Sequence, residues 1–328
     1  MHITRSTSQI RHNEKQFNTG AMLTIKENVP LAELSTFEIG GKARYFVSVK
    51  TEEDIKEALG WAREHGHRFI VMAGGSNVVV PDEGLDALII KISGVNFSII
   101  DSTIEIDAGC VLLHVIKAAA DEGLGGWEKL AGIPGTVGGA VRGNAGAFGN
   151  EIKDVITWVR AINTKTGEGH EFANPECEFA YRMSYFKKNP EWIITRVHIS
   201  LQKTDAIESQ RLITETIKER ERRHIQDVRA AGSYFINPVA PTDIREMYEK
   251  EKKAQSREGR VPAGWLIEKA GLKGRRVGGA EASMQHPNYI VNTGNATASD
   301  VRRLAELIKR IVKEKFGVEL QEEAVVWK

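Results

Sequence analysis

Glycine dominates one stretch of this chain and limits what it can become. From Ala131 to Gly149 the sequence reads AGIPGTVGGAVRGNAGAFG, with glycine at 132, 135, 138, 139, 143, 146 and 149. Pro134 sets one turn and Asn144 sits in the middle. Too little of the stretch is apolar to build a core, and its spacing is too ordered for a linker. Glycine admits φ > 0 and lets main-chain N–H groups approach a ligand with no Cβ in the way. Successive N–H groups in such turns form concavities that suit a pyrophosphate. Tight turns in a β-rich domain would show the same spacing. A second glycine loop upstream, Gly74-Gly75-Ser76-Asn77, shifts the balance towards phosphate. Two such loops can grip the two phosphates of one extended dinucleotide from both sides.

The usual signatures of other phosphate binders are missing. There is no G-x-G-x-x-G and no G-x-x-x-x-G-K-[ST], which disfavours a Rossmann site and a P-loop. The chain has no H-E-x-x-H and no paired C-x-x-C, so no metal site is expected. Its 45 basic and 44 acidic residues leave a net charge of +1, a balance that points to neither nucleic acid nor a membrane surface. No apolar run approaches the ~20 residues of a membrane helix. Cys110 and Cys177 are the only cysteines; they read as reduced packing groups in a cytoplasmic protein.

The 328 residues suffice for two or three domains. Residues 1–22 are polar and read as a disordered extension or a non-native cloning remnant. Thr51–Asp54 opens a helix as a capping box with Asp in the Glu position, and Ile55, Ala58, Leu59 and Ala62 keep helical spacing. Strands are expected at Arg68–Ala73 and Leu85–Ile92, a hairpin over 96–108 turning at Asp101-Ser102, and a helix over 111–122 stopped by Gly123. Further strands fall near 155–163, 169–173 and 192–202. A charged helix over 207–223 turns Ile213 and Ile217 inward, and its KERERRH end reads as a solvated face. A long amphipathic helix carries Val301, Leu304, Ala305, Ile308, Ile311 and Val312 and stops at Gly317. Val318–Trp327 reads as a strand. Strands and helices alternate without a regular βαβ rhythm, so the class is α+β.

Six segments together resemble one family. AGGSNVVVPDEG (73–84), AGIPGTVGGAVRGNAGAFG (131–149), YRMSYFK (181–187), AGSYFINP (231–238), the run from Ala263 to Thr297 and FGVELQEEAVVW (316–327) look like the UDP-N-acetylenolpyruvoylglucosamine reductases, in the shorter of their two subtypes. The resemblance spans about residues 28–328 and keeps the family order. It implies an FAD-binding region of the PCMH/vanillyl-alcohol-oxidase type, made of two subdomains (23–222), an α+β substrate domain (223–317), and a C-terminal strand (318–328) returning to the active site. It implies NADPH as hydride donor, FAD as carrier, and UDP-N-acetylglucosamine-enolpyruvate as acceptor, in a monomer. By the same likeness Thr36, Gly74, Gly75, Ser76, Asn77, Gly132, Ile133, Pro134, Gly135, Thr136, Gly138, Gly139, Asn144, Ala145 and Gly146 lie along the cofactor.

The chemistry implied is a hydride relay to C3 of an enol ether. Negative charge then collects at C2 and in the carboxylate, so the protein needs a cation there and a proton source. Arg182 matches the family's arginine, whose planar guanidinium suits a carboxylate. Ser233 matches its proton donor. Glu323 matches its acid, although the usual Glu-Pro-Glu here reads Gln321-Glu322-Glu323, which leaves a one-residue slip open. Strand alternation would put Glu322 and Glu323 on opposite faces. Asn237, Lys273 and His286 match substrate contacts, with Arg275 or Arg276 as helpers. Ile236 stands where relatives often carry a cation. Two other readings share these residues: an alcohol oxidase on the same fold, and a silent nucleotide-binding module.

Overall fold

The computed structural model describes residues 23–223 and 228–328 together with a short strand at Phe17–Asn18. The remainder of 1–22, expected to be disordered, lies outside the described residues. Phe17–Asn18 (β1) pairs antiparallel with Thr24–Pro30 (β2), Phe17 opposite Ile25.

Around β2 the first lobe forms a mixed five-stranded sheet. Lys42–Val49 (β3) leads through helix Glu52–Glu64 (α1) to Phe69–Met72 (β4), then the short Val78–Val79 (β5) and Leu85–Ile92 (β6). The strand order is β1-β2-β3-β6-β4, with β6 parallel to both β3 and β4. In β6 the central Ala87–Ile90 are all buried because both faces are covered. Leu88 and Ile90 pack under α1, while Ala87 and Ile89 pack with Val80 and Trp327. The expected capping box forms: Thr51 Oγ1 accepts from Asp54 N–H and the Asp54 carboxylate accepts from Thr51 N–H.

The second lobe opens with the hairpin Phe97–Ile100 (β7) and Thr103–Asp107 (β8), followed by helix Leu112–Asp121 (α2) and Leu124–Gly125 (β9). The glycine stretch then holds a helix, Val137–Arg142 (α3), before Gly146–Ala147 (β10) and Asn150–Glu151 (β11). Ile156–Asn163 (β12), Gly169–Ala173 (β13), the single turn Tyr185–Lys188 (α4), Trp192–Ser200 (β14), Gln202–Lys203 (β15) and helix Ala206–Arg223 (α5) complete it. The antiparallel sheet runs β13-β12-β14-β8-β7. Arg160 on β12 grips Glu52 of α1 through two bonds, 2.6 and 3.0 Å, which fixes the two lobes to each other.

Two expectations change here. The glycine stretch does contribute to a core: Val137 and Val141 are fully buried in the second-lobe cluster. This works because Gly138 passes close to Ala108, where a Cβ would come within 2.7 Å. The end of α5 is not wholly solvated either, since Arg220 is half-buried and its Cδ packs over Gly132. His224, the last residue of that charge run, lies outside the described residues.

The third lobe comprises Thr242–Lys252 (α6), Ala263–Lys269 (α7), a small sheet of Arg276–Val277 (β16), Ala280–Ala282 (β17) and Ile290–Asn292 (β18), and helix Ala298–Phe316 (α8). Its core takes in Phe37, Ile39 and Val79 from the first lobe. Asp82 reaches across to accept from Ala298 and Ser299 N–H at the start of α8, at 2.7 and 3.0 Å. Gly317 closes α8 at φ +66. The tail is not the continuous strand its pattern suggests. Only Val325–Val326 (β19) pairs, parallel to β5, with a single bridge from Glu322 to Phe235 before it. The chain is shared between two lobes there, so no one sheet claims the whole segment.

Candidate active site

The two glycine loops meet. Ser76 Oγ donates to the Pro134 carbonyl at 3.2 Å, and the backbones approach so closely that a Cβ on Gly74 would lie 3.1 Å from Gly135 Cα. Gly75 adopts φ +69, and a Cβ there would come within 2.1 Å of the Leu34 carbonyl oxygen. Gly74, Gly75, Ser76, Gly135 and Thr136 give their N–H groups to no acceptor among the described residues. A narrow cradle with open main-chain donors fits a dinucleotide's diphosphate.

The loops line a cavity of about 930 Å³. Ile133, Pro134, Gly138, Gly139, Ala145 and Gly146 line it too. Three expected cofactor neighbours sit behind the wall instead. Thr36 donates its hydroxyl to Ala230 and its N–H to Gly75. Gly132 lies under Arg220. Asn144 is fully buried, its side chain donating to Glu151 and Ala180 and accepting from Lys153 N–H. These three shape the wall without forming its surface.

Arg182, Ser233 and Glu323 arrive from separate parts of the chain and line this same cavity. Arg182 occupies a tight turn in which Ala180 and Met183 exchange both main-chain hydrogen bonds. Its Nη2 donates to the Gly146 carbonyl at 3.0 Å. Its Nε lies 2.9 Å from Glu323 Oε1, an ion-pair contact rather than a well-aimed hydrogen bond. Ser233 follows Gly232, which turns at φ +70, in a loop stitched to the tail: Glu323 N–H donates to the Tyr234 carbonyl and Ile236 N–H to the Gln321 carbonyl. Asn77 Nδ2 donates to the Glu323 carbonyl at 3.0 Å, which joins the first glycine loop to the same point.

This geometry separates the two candidate carboxylates. Glu323 points into the cavity, whereas Glu322 turns away to Lys309 on α8, 3.6 Å distant. Burial holds the Glu323 carboxyl above its ordinary pKa, with Arg182 and Lys187 pulling the other way.

The expected substrate contacts divide. Asn237 and His286 line the cavity. Asn237 is held by its Oδ1, which accepts from Ala263 N–H, and by Arg260, which donates to its carbonyl. Burial lowers the His286 pKa. Lys273 does not line the cavity; it pairs at 3.4 Å with Glu268, which does. Arg276 is turned to Glu281. Four further cations line the cavity without having been singled out by their motifs: Arg142, Lys187, Arg220 and Lys252, the first two of which lie within the quoted segments. Burial depresses the pKa of Arg142, Lys187 and Arg220. Conversely, Cys110 and Cys177 are buried, with burial pushing their thiols up to about 11 and about 12. They are inert packing groups.

The fold and the glycine-lined cavity define a flavoprotein: residues 43–173 match a family described as an FAD binding domain. Residues 223–327 match the family described as UDP-N-acetylenolpyruvoylglucosamine reductase, C-terminal domain. The UDP-N-acetylenolpyruvoylglucosamine reductase of Solibacter usitatus is 36% identical over 313 residues, covering 92% of this chain and 96% of the relative. That of Carboxydothermus hydrogenoformans is 38% identical over 298 residues, covering 90% and 91%. The crystal structure of the Thermus caldophilus enzyme superposes with a TM-score of 0.74 at 34% identity, covering 94% of this chain and all of the other. The chain belongs to the UDP-N-acetylenolpyruvoylglucosamine reductase family.

Proposed function

We propose that this protein reduces the enolpyruvyl group of UDP-N-acetylglucosamine-enolpyruvate with NADPH, giving UDP-N-acetylmuramate for peptidoglycan synthesis. The observation that carries the reading is the convergence of Arg182, Ser233 and Glu323 on the cavity that both glycine loops line. When bound, FAD would supply hydride transfer from NADPH to the enolpyruvyl C3, and the open N–H groups of Gly74–Ser76, Gly135 and Thr136 would hold its diphosphate.

The chain's own residues handle the charge. Arg182 takes the substrate carboxylate, which displaces Glu323 from its guanidinium and stabilises the negative charge that grows at C2 and the carboxylate. Ser233 gives its hydroxyl proton to C2; a weak acid suffices because the acceptor is carbanion-like. Hydride at C3 and proton at C2 saturate the double bond. Glu323, once Arg182 has turned to the substrate carboxylate, acts in its protonated form, which burial favours, and donates a hydrogen bond to the developing charge. Asn237 and His286 orient the sugar nucleotide. The enzyme proposed is a monomer. No helix among the described residues is long and apolar enough to cross a membrane, and the reading places the enzyme in the cytoplasm.

The test is direct. The purified protein should show a flavin absorption spectrum that NADPH bleaches anaerobically and the enolpyruvyl UDP-sugar restores. Rapid recovery in air with no response to the UDP-sugar would point to an oxidase instead. A colourless protein that takes up no FAD ends the proposal.

A further inference from the structure

Within the motif Tyr181–Lys187 the reaction uses only Arg182, yet the structure gives its other members mechanical work. Arg182 has φ +54. It sits in a turn whose ends, Ala180 and Met183, bond to each other in both directions. At such a φ glycine is the comfortable residue and a long side chain is strained. The strain must be held by surrounding contacts.

Two contacts hold it. Ser184, fully buried, donates its hydroxyl to the Arg142 carbonyl at 2.7 Å and accepts Lys187 N–H, so the turn is bolted to the end of α3 and α4 starts there. The single turn of α4 then carries the Lys187 side chain back over Arg182, where Nζ donates to the Arg182 carbonyl at 2.9 Å. The charged groups acting on this ammonium are Glu323, which favours its charge, and Arg142 and Arg182, which oppose it. A lysine beside two arginines is electrostatically costly, and the bond to the carbonyl accounts for its place.

We propose that Lys187 is a positioning residue: by clamping the carbonyl of Arg182 it keeps that residue left-handed and its guanidinium aimed between Gly146 and Glu323. The proposal rests on the functional reading above for the meaning of the aim, but the clamp itself is testable without substrate.

The experiment is a double-mutant cycle read in separate half-reactions. Lys187→Met should leave the flavin spectrum and its reduction by NADPH near wild type. Reoxidation by the UDP-sugar should slow by about 10- to 100-fold, the effect of a misplaced contact group. In an Arg182→Ala background the same change should alter that rate by less than about twofold, because a residue acting through Arg182 has nothing left to position. Lys187→Arg, which keeps a charged donor of similar reach, should recover most of the rate. Should Lys187→Met lose its flavin, Lys187→Leu, which likewise carries no donor, takes its place in the cycle. Equal factors in the two backgrounds, or a wild-type rate in the single variant, overturn the proposal. A crystal structure of Lys187→Met with Arg182 still near φ +54 and still on Gly146 overturns it too, whatever the substrate proves to be. A wild-type flavin that ignores the UDP-sugar sinks the functional reading alone and leaves that crystallographic arm to decide the clamp.

Discussion

Arg182 Nε stands 2.9 Å from Glu323 Oε1, so a turn of the second lobe and the returning tail meet inside the cavity as a charge pair. Burial opposes the charged carboxylate more strongly than Arg182 and Lys187 favour it, and the Glu323 pKa lies above its ordinary value of 4.5. The folded state therefore binds the Glu323 proton more tightly than the unfolded state does. The associated stability is fully present below pH 4.5 and is lost as pH rises through the folded-state pKa. The stability of wild type minus that of Glu323→Gln should fall steadily between those limits, read from urea midpoints at several pH values. A pH-independent difference removes the raised pKa.

Ser233 divides the reaction in time. Ser233→Ala should leave reduction of the flavin by NADPH within about twofold and slow reoxidation by the enolpyruvyl UDP-sugar by about 10²- to 10⁴-fold, the range lost with a general acid. Anaerobic stopped-flow spectroscopy separates the two steps. Reoxidation at the wild-type rate would show that the proton comes from elsewhere.

Gly75 is the tightest point of the first loop. With φ +69 and the Leu34 carbonyl oxygen 2.1 Å from any Cβ, Gly75→Ala must push the loop away from the Leu34 segment. The expected cost is roughly 3 kcal/mol of stability, together with weakened retention of flavin during gel filtration. Gly60, on α1 with open space around its Cβ position, serves as the control: Gly60→Ala should be neutral or stabilising by about 0.5–1 kcal/mol.

Asp82 links the first lobe to the start of α8. Asp82→Ala removes the acceptor for two N–H groups and should cost about 1 kcal/mol, the usual loss for a helix cap, seen as a lower midpoint in denaturant. An unchanged midpoint would mean that Thr297, whose hydroxyl accepts from Asp300 N–H, caps the helix alone.

Local order was legible from the residues alone. The capping box at Thr51, the hairpin turning at Asp101, strand Leu85–Ile92 and the long helix closed by Gly317 all depend on periodicity and turn chemistry within a few neighbours, and each stands where its pattern put it. The α+β class and the glycine loops follow from the same kind of information, and six motifs in family order named the cofactor and the reaction. What the chain's order could not decide was direction. Glu322 and Glu323 differ only in what packs against each: α8 takes one, and the cavity takes the other. Asn144 reads as part of the cavity surface until its buried bonds place it behind the wall, and Lys273 until it is found beside Glu268 and off the lining. Arg220 looks like surface charge, and Lys187 stays unassigned within its motif, because spacing along a chain carries no record of the lobe that folds back over it. Local geometry is written by neighbours in sequence, whereas the facing of a side chain in an irregular segment is settled by residues far away in the chain, and those meet only in the tertiary structure.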